Sequence, residues 1–218
     1  MSEIQGNKPR RAKRSLALPV IVAGGVSSLL LAFSLTPTFS ALTAAITNST
    51  NTAGTGTLIM QETNSDGSIL CNSTDGGSVS TNTATCATIN KYGGSMSMVP
   101  GGNVTTTVVI KNTGTVAASS FSLTPGTCTQ ANNGTSNGSA NDLCSKYTIT
   151  IKSGSNTVYQ GTAAAFSGAQ DVFQKLSIST LAAGGSLTFT IDAKLDGAVG
   201  NTYQGLKISQ PLTFTFGA

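Results

Sequence analysis

The chain has 218 residues, a length that suits one large domain or two small ones. It carries a formal charge of +4 with only 9% charged residues, no histidine and no tryptophan. The missing histidine excludes Ser-His-Asp and Cys-His catalysis and every His-ligated zinc mechanism.

The charge is unevenly placed. Lys8, Arg10, Arg11, Lys13 and Arg14 face Glu3 alone in the head, whereas the rest of the chain holds seven basic and seven acidic side chains. A nucleic-acid binder needs clustered Lys and Arg to replace phosphate counterions, and the body has no such cluster. Ser, Thr, Gly and Asn together supply 100 residues, beside a hydrophobic content of 39% arranged in periodic runs. Thr favours strands and Gly, Asn and Ser favour turns, so the expectation is an all-β fold without the polarised ionisable groups of an enzyme.

Residues 1–40 read as a signal peptide. A basic head precedes an apolar run from Leu16 to Phe33, and Ser34 to Ala45 is rich in small residues. Thr38 and Ser40 fit cleavage after Ser40, with later sites as far as Ala45. The competing reading is an uncleaved anchor, because the run approaches the roughly 17–25 residues that span a bilayer. Arg10-Arg11 lacks the apolar step expected after a twin-arginine export signal. Export implies an extracellular or cell-surface protein that meets the membrane only through this segment before cleavage.

Residues 41–56 follow as a separate piece. Leu42, Ala44 and Ile46 share one parity, and Asn48 to Gly56 is a polar, linker-like stretch. A short alternating strand on a flexible tether is suited to pair with an open sheet edge of another subunit. The alternative is an inert remnant of the signal exit.

Residues 57–218 form the expected globular domain. Strand patterns of period two run over Thr57–Glu62, then over Asn103–Lys111 with Val104, Thr106, Val108 and Ile110 on one face. Asn112-Thr113-Gly114 turns the chain into Val116–Thr124. Tyr147, Ile149 and Ile151 alternate, and a Ser153–Asn156 turn leads to Thr157–Gln160. Phe166, Ala169, Phe173 and Leu176 follow at helical spacing, which predicts a short crossover helix within Thr162–Leu176. Leu187, Phe189 and Ile191 alternate again. The last run carries Leu206, Ile208, Leu212, Phe214 and Phe216, with Pro211 marking an edge or a bend. About eight strands and one helix imply a two-sheet β-sandwich, most simply a jelly roll.

Four cysteines, Cys71, Cys86, Cys128 and Cys144, are an even number in an exported chain, which favours disulfides. Three pairings are open. Cys71–Cys86 and Cys128–Cys144 are favoured because each pair brackets one polar loop, and each bond would contribute about 3 kcal/mol. A zinc site would want tighter Cys spacing.

No constellation of catalytic residues emerges. Asp192 and Asp196 close one strand run but read as strand-end solvation. Asn64-Ser65-Asp66-Gly67 reads as a turn, since the acids that would complete a calcium loop are missing. The sequons at Asn48, Asn72, Asn103, Asn133 and Asn137 occur as often as this composition produces them by chance. No phosphate-binding glycine motif is present. No catalytic residue, metal or cofactor is expected.

Four stretches, in order, carry a resemblance. They are Ala53–Leu58, Val99-Pro100-Gly101-Gly102 leading to Asn112-Thr113-Gly114-Thr115, Leu181–Ser186, and Asn201-Thr202-Tyr203-Gln204-Gly205 before the final strand. The layout resembles the TasA/camelysin family of secreted biofilm-matrix fibre proteins, with Tyr203, Gln204 and Gly205 the most telling trio. The resemblance implies a jelly-roll subunit that polymerises with its own copies by donor-strand exchange, after cleavage by a dedicated signal peptidase. It makes Leu42, Ala44 and Ile46 the donor strand. Two departures stand out: the Ala182-Ala183-Gly184 stretch lacks an expected proline, and the cysteine pairs are additions. The metalloprotease label attached to camelysin does not transfer, because no histidine is available as a ligand. The expectation is a non-enzymatic fibre subunit. The alternatives are a monomeric adhesin or carbohydrate-binding module, a pilin assembled by a periplasmic chaperone and, last, a secreted protease.

Overall fold

The computed structural model describes Ile46 and residues 50–218. The signal segment, Leu42 and Ala44 lie outside the described residues.

Alternation of apolar and polar side chains organises the larger of two layers. Its strands are β1 (Met60–Asn64), β2 (Leu70–Asn72), β3 (Asn103–Asn112), β6 (Tyr147–Ser153), β7 (Asn156–Thr162) and β9 (Ser186–Leu195), in the spatial order β2-β1-β3-β9-β6-β7. All neighbours are antiparallel. Register aligns the apolar parity across the central three strands: Val108 opposes Phe189, and Ile191 opposes both Thr106 and Ile151. Val108, Ile110, Ile149, Ile151, Phe189 and Ile191 are fully buried. The opposite parity carries Thr105, Thr107, Thr148, Thr150, Thr188 and Thr190, β-branched residues that suit a pleated, solvated face.

The second layer is built from a bent ribbon. β4 (Ser120–Pro125) and β5 (Thr129–Asn132) run antiparallel to β11 (Leu212–Gly217) and β10 (Leu206–Ser209), respectively. A two-residue strand β8 (Gln170–Asp171) adds to β4. The ribbon bends where Gly126 meets Pro211. Pro211 has no N–H to donate, and Gly126 N donates to its carbonyl at 2.8 Å. A Cβ on Gly126 would crowd the Pro211 ring at 3.1 Å, so glycine eases this close approach. The final run is thus two strands around a proline, bent as expected.

The chain crosses repeatedly between the layers, giving an all-β, jelly-roll-like sandwich with one short helix. A compact unit extends from Gly54 to Ala218. Phe121 on β4 joins the two layers at the centre. Its ring meets Phe189 of the first layer edge-on at 5.8 Å, Phe216 of β11 at 4.7 Å and Phe173 of the helix at 5.8 Å.

The helix is shorter than its spacing predicts. Only α1 (Val172–Leu176) is helical, with Asp171 as N-cap accepting a hydrogen bond from Gln174 N at 3.0 Å. β7 continues to Thr162, and Gly168 takes φ +74°. Phe166 is buried from a loop, stacked on Tyr159 at 3.7 Å, and Ala169 is exposed. The 3-4-3 spacing therefore reports burial at three of its four positions and not one continuous helical face.

Asn112, the one buried polar residue among those described, closes β3. Its amide donates to the carbonyls of Val116 (2.8 Å) and Leu181 (3.1 Å), and its Oδ1 accepts from Gly114 N (3.0 Å). The Asn112-Thr113-Gly114 turn is therefore tied to the strand-like contact between Ala118 and Leu181.

Because Phe121 is a central contact between layers, beside Phe189 against Phe214, Phe121→Ala should lower unfolding free energy by about 3–5 kcal/mol. Equilibrium denaturation in urea checks this.

Candidate functional site

The second layer ends at β10 and β11. β10 pairs only with β5, and β11 only with β4, so among the described residues their other edge has no strand partner. Burial alternates along this edge. Leu206, Ile208, Gln210, Leu212, Phe214 and Phe216 are half-buried, and Lys207, Ser209, Pro211, Thr213 and Thr215 are exposed. The same parity therefore faces inward on both sides of the bend.

A groove of about 1230 Å³ lies beside the edge. Its walls include Met60 of β1, Ala193 and Leu195 of β9, Tyr147 of β6 and the inward residues of β10 and β11. The strands line the groove with apolar side chains and also with Glu62, Asn72, Ser209 and Thr213, and residues 82–98 line its rim. An unpaired edge presents a row of N–H and C=O groups to any added strand.

Gln210, at the bend of the edge, was not flagged by any sequence pattern. Its amide nitrogen lies 2.9 Å from the Gly126 carbonyl, 3.2 Å from that of Ala163 and 3.1 Å from that of Phe166. Its Oε1 accepts from Tyr92 Oη at 2.8 Å. One side chain thus ties together the ribbon bend, the loop before α1 and the segment crossing the groove. A lone Gln in an irregular position carries no periodic signal.

The Tyr203-Gln204-Gly205 trio lies at the entrance to β10. Tyr203 Oη donates to Asp142 Oδ1 at 2.8 Å, and the Gln204 carbonyl accepts from Gly138 N at 2.7 Å. Gly205 takes φ +63°, its carbonyl accepts from Asn133 N at 2.6 Å, and a Cβ there would strike the Ser136 carbonyl. The trio therefore anchors the start of the free edge to residues 133–142, and its glycine is required by both conformation and space.

Cys71 is bonded to Cys86, with a Cα–Cα distance of 5.8 Å, and Cys128 to Cys144 at 6.1 Å. The first bond clips the segment that enters the groove rim to β2. The second clips the start of β5 to the short 3₁₀ turn Leu143–Ser145. Of the three residues expected in a donor strand, only Ile46 is described, and it is fully exposed. Asp192, considered above with Asp196, accepts from Asn103 Nδ2 (2.7 Å) and Thr105 Oγ1 (2.8 Å) on the outer face of the first layer. Asp196 instead closes the following turn, accepting from Ala198 N at 2.9 Å. No group of three or more Cys, Asp or Glu that could hold a metal occurs among the described residues. None of their helices is long and apolar enough to cross a membrane.

Electrostatics around the groove are quiet. Glu62 and Lys91 form an ion pair at 2.7 Å with both side chains 12% exposed, and Lys91 Nζ lies 5.7 Å from the Phe214 ring centre. Burial raises the pKa of the Tyr92 phenol well above its ordinary 10.0, and the nearby Tyr159 adds to the shift. Burial also raises Tyr147 and Tyr159, whereas Tyr203 is raised chiefly by its hydrogen bond to Asp142.

No known family model and no curated protein matches the chain.

The tyrosine shifts have a definite sign. Folding favours the neutral phenol of Tyr92, so its stabilising contribution is complete below pH 10 and is lost as pH rises through the folded pKa. Spectrophotometric titration should show native tyrosinate forming above the ordinary 10.0 and returning to it in denaturant. Melting temperature should fall less steeply at alkaline pH in Tyr92→Phe than in the parent.

Proposed function

We propose that the protein is an exported, non-enzymatic subunit of extracellular fibres, similar in role to the TasA/camelysin family, that assembles by donor-strand exchange. The observation that carries this reading is the β10–β11 edge, unpaired among the described residues, beside a groove lined in part by apolar side chains. The segment Leu42–Thr47 of a second copy would lie along that edge. Leu42, Ala44 and Ile46 would face the groove floor, and the main chain would complete the ladder.

Magnitudes support the pairing. The edge from Leu206 to Gly217 is about 40 Å long at ~3.3 Å per residue. A six-residue donor would cover about half of it. Burying the Leu42 and Ile46 side chains would contribute about 1.5–3 kcal/mol each, and each ladder hydrogen bond about 0.5–1.5 kcal/mol net. The seven basic and seven acidic residues of the body leave little self-repulsion between copies. The two disulfides are compatible with an oxidising, extracellular destination.

A binding module for carbohydrate would favour exposed aromatic rings. Tyr92, Tyr147, Tyr159 and Tyr203 are all at least half-buried, and the exposed large apolar residues among those described are aliphatic, such as Val99, Met96 and Val79. This argues against the adhesin alternative.

Residues 41–218, purified and imaged by negative stain over a concentration series, should form filaments. Removing residues 41–53, or making Ile46→Asp, should abolish them. A chain that remains monomeric at high concentration both with and without residues 41–53 would sink the proposal.

A further inference from the structure

The groove is not open to solvent along its whole length. The chain between Cys86 and Pro100 contains no helix or strand, and Ile89–Met98 crosses the groove mouth. Besides the burial of Ile89 in the core, its attachments are side-chain contacts to β1, β6 and β11, to Gln210 at the bend and to Asn133 just after β5. Lys91 pairs with Glu62 of β1 and lies over Phe214 of β11. Tyr92 Oη donates to Gln210. Asn133 Nδ2, just after β5, donates to the Met96 carbonyl at 2.8 Å, and Tyr147 Oη of β6 donates to Met98 Sδ at 3.6 Å.

No backbone hydrogen bond among the described residues joins this segment to β10 or β11. The segment therefore shields the apolar floor while leaving the edge ladder unmade. Its grip is uneven. Ile89 is buried, and Lys91 and Tyr92 are half-buried, whereas Gly93 to Ser97 are exposed, Met96 by 56%. Gly93 and Gly94 take φ +79° and +67°, two consecutive left-handed residues between the anchored and the exposed halves. Both ends are held: Cys86 by its disulfide, and the Gly101-Gly102 turn by hydrogen bonds with Leu195 at 3.1 and 2.9 Å.

We infer that Ile89–Met98 is a strap that caps the donor-strand groove before assembly and swings aside when the donor strand of a second copy adds to β10–β11. This inference rests on the fibre reading above. The exchange is directional in energy. The strap offers separate polar contacts of about 1 kcal/mol each together with the buried Ile89 and half-buried Tyr92, and the donor offsets their loss with a continuous ladder and two large buried side chains. The cap keeps an apolar groove and an open edge from pairing indiscriminately, and it places a barrier before each addition.

The test compares elongation of mature residues 41–218 on preformed seeds for the parent, Tyr92→Phe and Asn133→Ala. Tyr92→Phe removes the bond to Gln210 and keeps the ring; Asn133→Ala removes the bond to the Met96 carbonyl. Each should elongate about fivefold faster, the factor equivalent to one hydrogen bond of ~1 kcal/mol. Hydrogen exchange on the parent supplies a second readout. On assembly, amides of Leu206–Gly217 should gain protection and amides of residues 89–98 should lose it. Filaments that grow at the parent rate in both variants, with strap exchange unchanged, would overturn the strap while leaving donor-strand assembly intact. If neither parent nor variants assemble on any seed, the fibre reading fails and the strap falls with it.

Discussion

An open sheet edge beside a groove shapes the described part of this molecule. The six-stranded layer offers a broad apolar face, and the bent ribbon of β4, β5, β10 and β11 covers it only as far as the β10–β11 edge. Beyond that edge the core continues as a groove, where Met60, Ala193 and Leu195 face inward with no strand above them among the described residues. Backbone groups that lack partners and apolar residues that lack cover are both costly. Several features of the structure hold this edge and groove in place.

The edge is held rigid at its bend and at its start. Gln210 grips three carbonyls around the Gly126–Pro211 contact, so the break forced by proline becomes a defined corner. Gly205 allows the backbone to turn sharply into β10 against the Ser136 carbonyl. The cysteines act at the same places, one bond fixing the root of the crossing segment and the other the start of β5. A rigid edge loses less conformational freedom when a strand adds to it, which favours association.

The chemistry available to the chain agrees with this use. Its described carboxylates are engaged in turns, caps and isolated ion pairs: Asp66 with Ser68, Asp142 with Tyr203 and Lys146, Asp171 at the α1 cap. Its tyrosines are turned inward or hydrogen-bonded.

Much of the strand content was legible because period two is a local property: Val104 to Ile110, Tyr147 to Ile151 and Leu187 to Ile191 reveal their buried parity without knowledge of any partner. Pro211 announced a bend because it lacks an N–H, and the two polar loops between cysteines announced their own closures. The short strands β2, β5 and β8 were not legible, since two to four residues carry no period, and the helix was overextended because Phe166 is buried from a loop whose Gly168 breaks the turn. Composition alone determined that the body is charge-balanced, histidine-free and β-rich. Only the tertiary structure decided that β10 and β11 lie at an edge, that Gln210 joins three distant carbonyls, and that Ile89–Met98 crosses the groove. Those facts depend on which strands pair across as many as 97 residues of chain (Gly217 with Ser120), and strand pairing is set by packing between layers that no local pattern contains.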